Sequence, residues 1–128
     1  MPLKGLMIVS PTQRVPREVR FPGTRAETIF NHLTPTNSFV VAQVALDPGA
    51  RTRLHYHQVD TFEYVLSGVA RVFDQHGNSQ VITADTGLYY PSGPDSAHFW
   101  EALGSVPVTF LFAYSAPPGQ DDGLTPVD

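Results

Sequence analysis

The chain contains no cysteine, so disulfides and thiolate chemistry are excluded and any metal site must draw on other donors. Charged residues make up only 16% of its 128 residues, and the formal net charge is −4. No long run of like charge occurs. That balance argues against a nucleic-acid partner, which calls for a clustered basic face. Long apolar runs are missing too. The longest near the start, Leu6 to Val9, is too short for a signal-peptide core or a membrane span. No internal repeat or low-complexity tract is visible. These absences imply a soluble chain, expected in the cytoplasm, without a membrane or nucleic-acid partner. Turn formers, by contrast, are plentiful. Twelve prolines and ten glycines separate short apolar runs, as in an all-β domain. The length suits one domain with its own core.

The pattern divides into an N-terminal arm (1–37), a β-rich body (38–115) and a C-terminal tail (116–128). In the arm, Gly5–Ser10 reads as a short strand, with Pro11 and Pro16 as breakers. Thr24-Arg25-Ala26-Glu27 matches a capping box followed by Ile29, Phe30 and Leu33, which leaves a helical turn or a strand open there. The body reads as strands at Ser38–Leu46, Thr52–His57, Phe62–Leu66, Val69–Phe73, Gln80–Thr83, Leu88–Tyr90, Ala97–Leu103 and Val106–Tyr114. Turn chemistry separates them: Asp47-Pro48-Gly49, Ser67-Gly68, His76-Gly77-Asn78 and Pro91-Ser92-Gly93-Pro94. Short, evenly spaced strands suit a sandwich or small barrel. The tail from Ala116 is polar and is expected to be mobile or draped on a neighbour.

Chemistry concentrates in the histidines. His55 and His57 form an H-x-H pair, with His98 further on. Strand residues i and i+2 project from one face, roughly 6–7 Å apart, so one strand can grip an ion with both. Imidazole suits zinc, iron, copper and nickel, and three protein ligands leave positions open for water or substrate. The same parity puts Arg51 and Arg53 on the face of His55, and Trp100 on the face of His98. His76, in a hairpin turn, is expected in solvent, and His32 away from the site.

Around these residues the sequence resembles the cupin superfamily. Gly49-x5-His55-x-His57 matches the first cupin motif, and Tyr64-Val65-Leu66-Ser67-Gly68 its closing strand and turn. Pro91-Ser92-Gly93 followed by His98 matches the second. Three departures stand out. Thr61 occupies the position of the family's metal-binding glutamate, with Asp60 and Glu63 as the nearest carboxylates. Four residues rather than two separate Gly93 from His98. Asp85 replaces the second motif's opening glycine, and Ala102 its closing asparagine.

The resemblance implies an all-β fold, a small double-stranded β-helix (jelly-roll) barrel of the cupin type. It also implies a homodimer paired through N-terminal strands. The implied metal ligands are His55, His57 and His98, holding one divalent transition metal (zinc, iron, nickel, manganese or copper). Glu63 shares the inward face of Thr61 and Val65, which makes it either a fourth ligand or, as preferred here, a general acid or base beside the metal. Arg53 is expected to hold an anionic oxygen of a small-molecule substrate. The implied activity is cyclisation, dehydration or isomerisation of a carbonyl or enolisable compound, as in polyketide-cyclase-like cupins. A three-histidine dioxygenase, a ligand-binding cupin without turnover and a metal-free sugar-nucleotide isomerase are the alternatives.

Overall fold

Alternation of buried and exposed residues runs through the long strands and builds two antiparallel sheets. The structure, a computed structural model, describes residues 4–31, 39–115 and 120–128. Its strands are β1 (Val15–Pro16), β2 (Thr24–Phe30), β3 (Val40–Leu46), β4 (His55–Tyr56), β5 (Thr61–Ser67) and β6 (Val69–Asp74). They continue with β7 (Ser79–Ile82), β8 (Gly87–Tyr90), β9 (His98–Leu103), β10 (Val108–Tyr114) and β11 (Thr125–Pro126). One sheet runs β1-β2-β3-β10-β5-β8 and the other β11-β4-β9-β6-β7. This is the jelly-roll barrel expected. Among the described residues no helix is long and apolar enough to cross a membrane.

The core lies between the sheets. In β10, Val108, Phe110, Phe112 and Tyr114 point inward, and in β9, His98, Trp100 and Ala102 do so. Leu46, Val65 and Val108 are essentially solvent-free, each contributing about 1.5–3 kcal/mol of burial. The Ser67-Gly68 turn is sterically specific. Gly68 has φ +88°, and a Cβ there would stand 2.6 Å from the Pro107 carbonyl oxygen.

Four sequence expectations are decided, three of them against the sequence reading and one, at Thr24–Phe30, in favour of the strand left open there. Gly5–Ser10 is not a strand: Leu6, Met7 and Ile8 are exposed and no ladder reaches them. The arm first pairs at β1, whose Pro16 has no N–H to extend the ladder. Thr24–Glu27 does not cap a helix. The Thr24 hydroxyl instead donates to the Phe21 carbonyl, closing the preceding turn, and β2 pairs with β3. The β-branched and aromatic run Thr28-Ile29-Phe30 suits that ladder. Third, Thr52–His57 is not one strand: only β4 is regular, and a bend at Leu54 interrupts it.

Fourth, the tail's described part (120–128) packs against its own chain. Thr125 and Pro126 pair with Tyr56 and His55, the Gln58 N–H donates to the Asp122 carbonyl, and the Val127 N–H to the Leu54 carbonyl. β4 would otherwise present unpaired backbone groups, and the tail satisfies them. Ala116–Gly119 and His32 lie outside the described residues.

Candidate metal centre

β4 and β9 are neighbours, and their ladder sets His55 directly opposite His98. His57 lies just past the end of β4, where its carbonyl accepts a hydrogen bond from the Gly93 N–H at 2.9 Å. The Pro91-Ser92-Gly93 turn is thereby tied to the H-x-H segment. The extra residues before His98 are taken up by a 3-10 turn, Pro94–Ser96, so the longer loop still delivers the histidine. Gly93 enters that turn at φ +104°, open to glycine at little cost. Asp60 does not join the histidines. Its carboxylate accepts from the Ser92 N–H at 2.8 Å and steadies the same turn.

The three histidines are 4–5% exposed, and their nearest ligand atoms all lie within 4.8 Å of one another. Each Nδ1 faces an acceptor. His55 Nδ1 donates to the Arg53 carbonyl at 2.6 Å, and His98 Nδ1 to the Ser96 carbonyl at 2.8 Å. His57 Nδ1 stands 3.1 Å from Asp122 Oδ2, close enough for charge contact but outside good hydrogen-bond geometry. The two carbonyl acceptors call for protons on Nδ1 of His55 and His98, which leaves their Nε2 lone pairs available, the orientation that outer carbonyls impose on metal-binding imidazoles. Burial pushes the pKa of His55 down to about 4, opposed by its backbone hydrogen bond. Burial and the neighbouring His55 push His98 down to about 3. Both rings are therefore neutral at neutral pH, the form a metal requires. The donor set fits a divalent transition metal.

Glu63, on β5, points inward between Thr61 and Val65 and is 4% exposed. It lines the same cavity as the histidines but does not belong to their 4.8 Å group. Burial raises its pKa to about 8, against the lowering effect of a hydrogen bond with Tyr90 and with added repulsion from Asp122. Tyr90 accepts from Trp100 Nε1–H at 2.8 Å and stacks flat on His98, ring centroids 3.7 Å apart. Trp100, Tyr90 and Glu63 thus form a polar thread beside the third histidine. Thr61, where cupins carry the metal-binding glutamate, turns its hydroxyl to the Val59 carbonyl.

Arg53 is placed elsewhere. Its side chain is 54% exposed and pairs with Asp128 at the surface. Arg51 also lies outside, stacked on Phe73 and Phe99 with Glu101 alongside. Counting in twos from His55 points both inward, and the bend at Leu54 breaks that count. The cationic side chains at the cavity are instead Arg17 and Arg20, from the arm.

Sequence reasoning also missed Asp122. It is fully buried and bound by Arg20 Nη1 at 2.7 Å as well as facing His57. Burial alone would raise its pKa, but His57 and Arg20 outweigh it and hold the carboxyl well below the usual range. The sole signal was Asp121-Asp122-Gly123, a turn-like run in a polar tail. The cavity is partly open to solvent, and its inner volume measures about 90 Å³. Phe110, Phe112, Trp100 and Phe21 give it an aromatic wall.

Among solved structures, the polyketide cyclase RemF from Streptomyces resistomycificus superposes with a TM-score of 0.79 at 19% identity, covering 96% of this chain and 86% of that one. Oxalate decarboxylase from Lactobacillus farciminis gives 0.72 at 22% identity, over 98% of this chain and 38% of that one. The chain therefore spans well under half of that enzyme. KdgF from Halomonas sp. gives 0.69 at 18% identity, over 86% and 95%. At such identities the likeness is one of fold. No curated protein matches by sequence. The Cupin domain family does match, over residues 42–114, which include every histidine of the candidate centre, and on that match the chain belongs to the cupins.

Proposed function

We propose that the protein is a metal-dependent cupin enzyme that cyclises, dehydrates or isomerises a small carbonyl or enolisable compound. One observation carries the reading. Three buried imidazoles bring ligand atoms within 4.8 Å of one another, two with Nδ1 on backbone carbonyls and the third beside Asp122, in a cavity shared with a buried carboxyl poised to exchange a proton. A divalent ion held by His55, His57 and His98 would supply Lewis-acid polarisation of a carbonyl or enolate oxygen.

The chain's own groups supply the rest. Glu63, with a pKa near the working pH, gives or takes the proton at the reacting carbon or its leaving oxygen. Tyr90, itself held by Trp100, orients the Glu63 carboxyl. The aromatic wall limits water and favours a planar substrate. The polyketide-cyclase activity named for the RemF structure is chemistry of this kind and supports the reading.

The test is elemental analysis of the purified chain, with His55→Ala, His57→Ala and Glu63→Gln alongside. One metal per wild-type chain, none in the histidine variants, and a Glu63→Gln protein that keeps its metal but not its turnover are expected. Stoichiometric metal in the histidine variants, or none in wild type after reconstitution, refutes the site. Loss of metal from Glu63→Gln would make the glutamate a ligand instead.

A further inference from the structure

The arm brings to the cavity a cation that no carboxylate pairs with among the described residues. The Arg17 N–H donates to the Ala26 carbonyl at 2.8 Å, which docks the arm on β2 just after β1 ends. The Arg17 guanidinium lies 5.8 Å from the Phe112 ring centroid and stands within side-chain hydrogen-bonding reach of Tyr114. Its Nη1 is buried, yet it has no hydrogen-bond partner among the described residues. Such an orphaned donor costs free energy, because the water it gave up has not been replaced. Arg20, the other cation at this cavity, is already matched by Asp122. Glu18 also reaches the mouth, but it is exposed and forms no ion pair with Arg17.

We propose that Arg17 is the anion-binding residue of the cavity, and that the ligand it takes is a small planar carboxylate seated against the aromatic wall. The two-pronged guanidinium matches a carboxylate, and Nη1 gains the partner it lacks. The inference deepens the reading of the cavity as a substrate site by naming the substrate's charge. It assigns to the arm the role that strand parity suggests for Arg53.

The experiment uses metal-free protein, so that it stands or falls independently of the metal. Benzoate and benzamide, alike in shape but not in charge, are titrated while the fluorescence of Trp100, the one tryptophan, is followed. Wild type is expected to bind benzoate at least about tenfold more tightly than benzamide. Arg17→Gln should bind both alike, and Arg53→Gln should keep the preference. Equal binding by wild type, no binding of either, a preference surviving Arg17→Gln, or one lost in Arg53→Gln each overturns the proposal. Should Arg17→Gln fail to fold, Arg17→Lys is read instead. It keeps the charge without the fork, so benzoate should bind several-fold more weakly, and unchanged affinity overturns the assignment.

Discussion

Replacing Glu63 with glutamine removes one buried ionisable group while keeping its shape, and the consequence for stability has a definite sign. In the folded chain the Glu63 pKa is pushed up to about 8 from an ordinary 4.5. Between those values the folded state binds more protons than the unfolded one, so wild-type stability falls as pH rises through that window. Each pH unit inside the window costs about 1.4 kcal/mol, so the loss between pH 4 and pH 7.5 is about 4 kcal/mol. The glutamine side chain cannot ionise and escapes it. His55 and His98 work in the opposite direction. Their pKa values are lowered to about 4 and about 3, so they destabilise the fold as pH falls below the ordinary histidine value of 6.5. That contribution is common to both proteins and cancels in the difference.

The assay is urea unfolding of metal-free wild type and Glu63→Gln from pH 5 to 8, followed by Trp100, which is 2% exposed in the fold. The stability of the variant relative to wild type should climb with pH at a slope approaching about 1.4 kcal/mol per pH unit and level off near pH 8. A difference that stays flat across this range would show that Glu63 ionises normally, and both the burial argument and its proton-transfer role would go with it.

Two further outcomes probe the surroundings. Asp122→Asn removes the charge facing His57 and loosens its ring, so metal affinity should fall roughly 10–100-fold in competition with a chelator; unchanged affinity refutes the positioning role. Gly68→Ala puts a Cβ 2.6 Å from the Pro107 carbonyl oxygen in a left-handed backbone, and should cost about 2 kcal/mol or more by thermal unfolding. A cost of only a few tenths would mean that this turn is free to shift.

Local pattern was enough to read much of the site. The H-x-H pair, Pro91-Ser92-Gly93 and His98 marked out the candidate ligands through the resemblance to cupins, whose motifs are short runs of neighbouring residues. Glu63 followed by strand alternation from Thr61, along a strand that is regular from end to end. Parity failed for Arg53, since counting in twos holds only while the backbone stays extended, and the bend at Leu54 resets it.

The β-rich architecture, the three histidines and an inward-facing carboxyl were all legible in the sequence, because each is carried by local pattern: alternation along a strand for the carboxyl, short motifs for the histidines. What completes the cavity depends on long-range packing. Arg17 and Arg20 arrive from the arm, and Asp122 from the far end of the chain, carried by the β4–β11 ladder. Nothing in a polar tail or a proline-broken arm signals such a contact. The unpaired edge of β4 and the buried Nδ1 of His57 create the need for it, and both exist only once the sheets have formed.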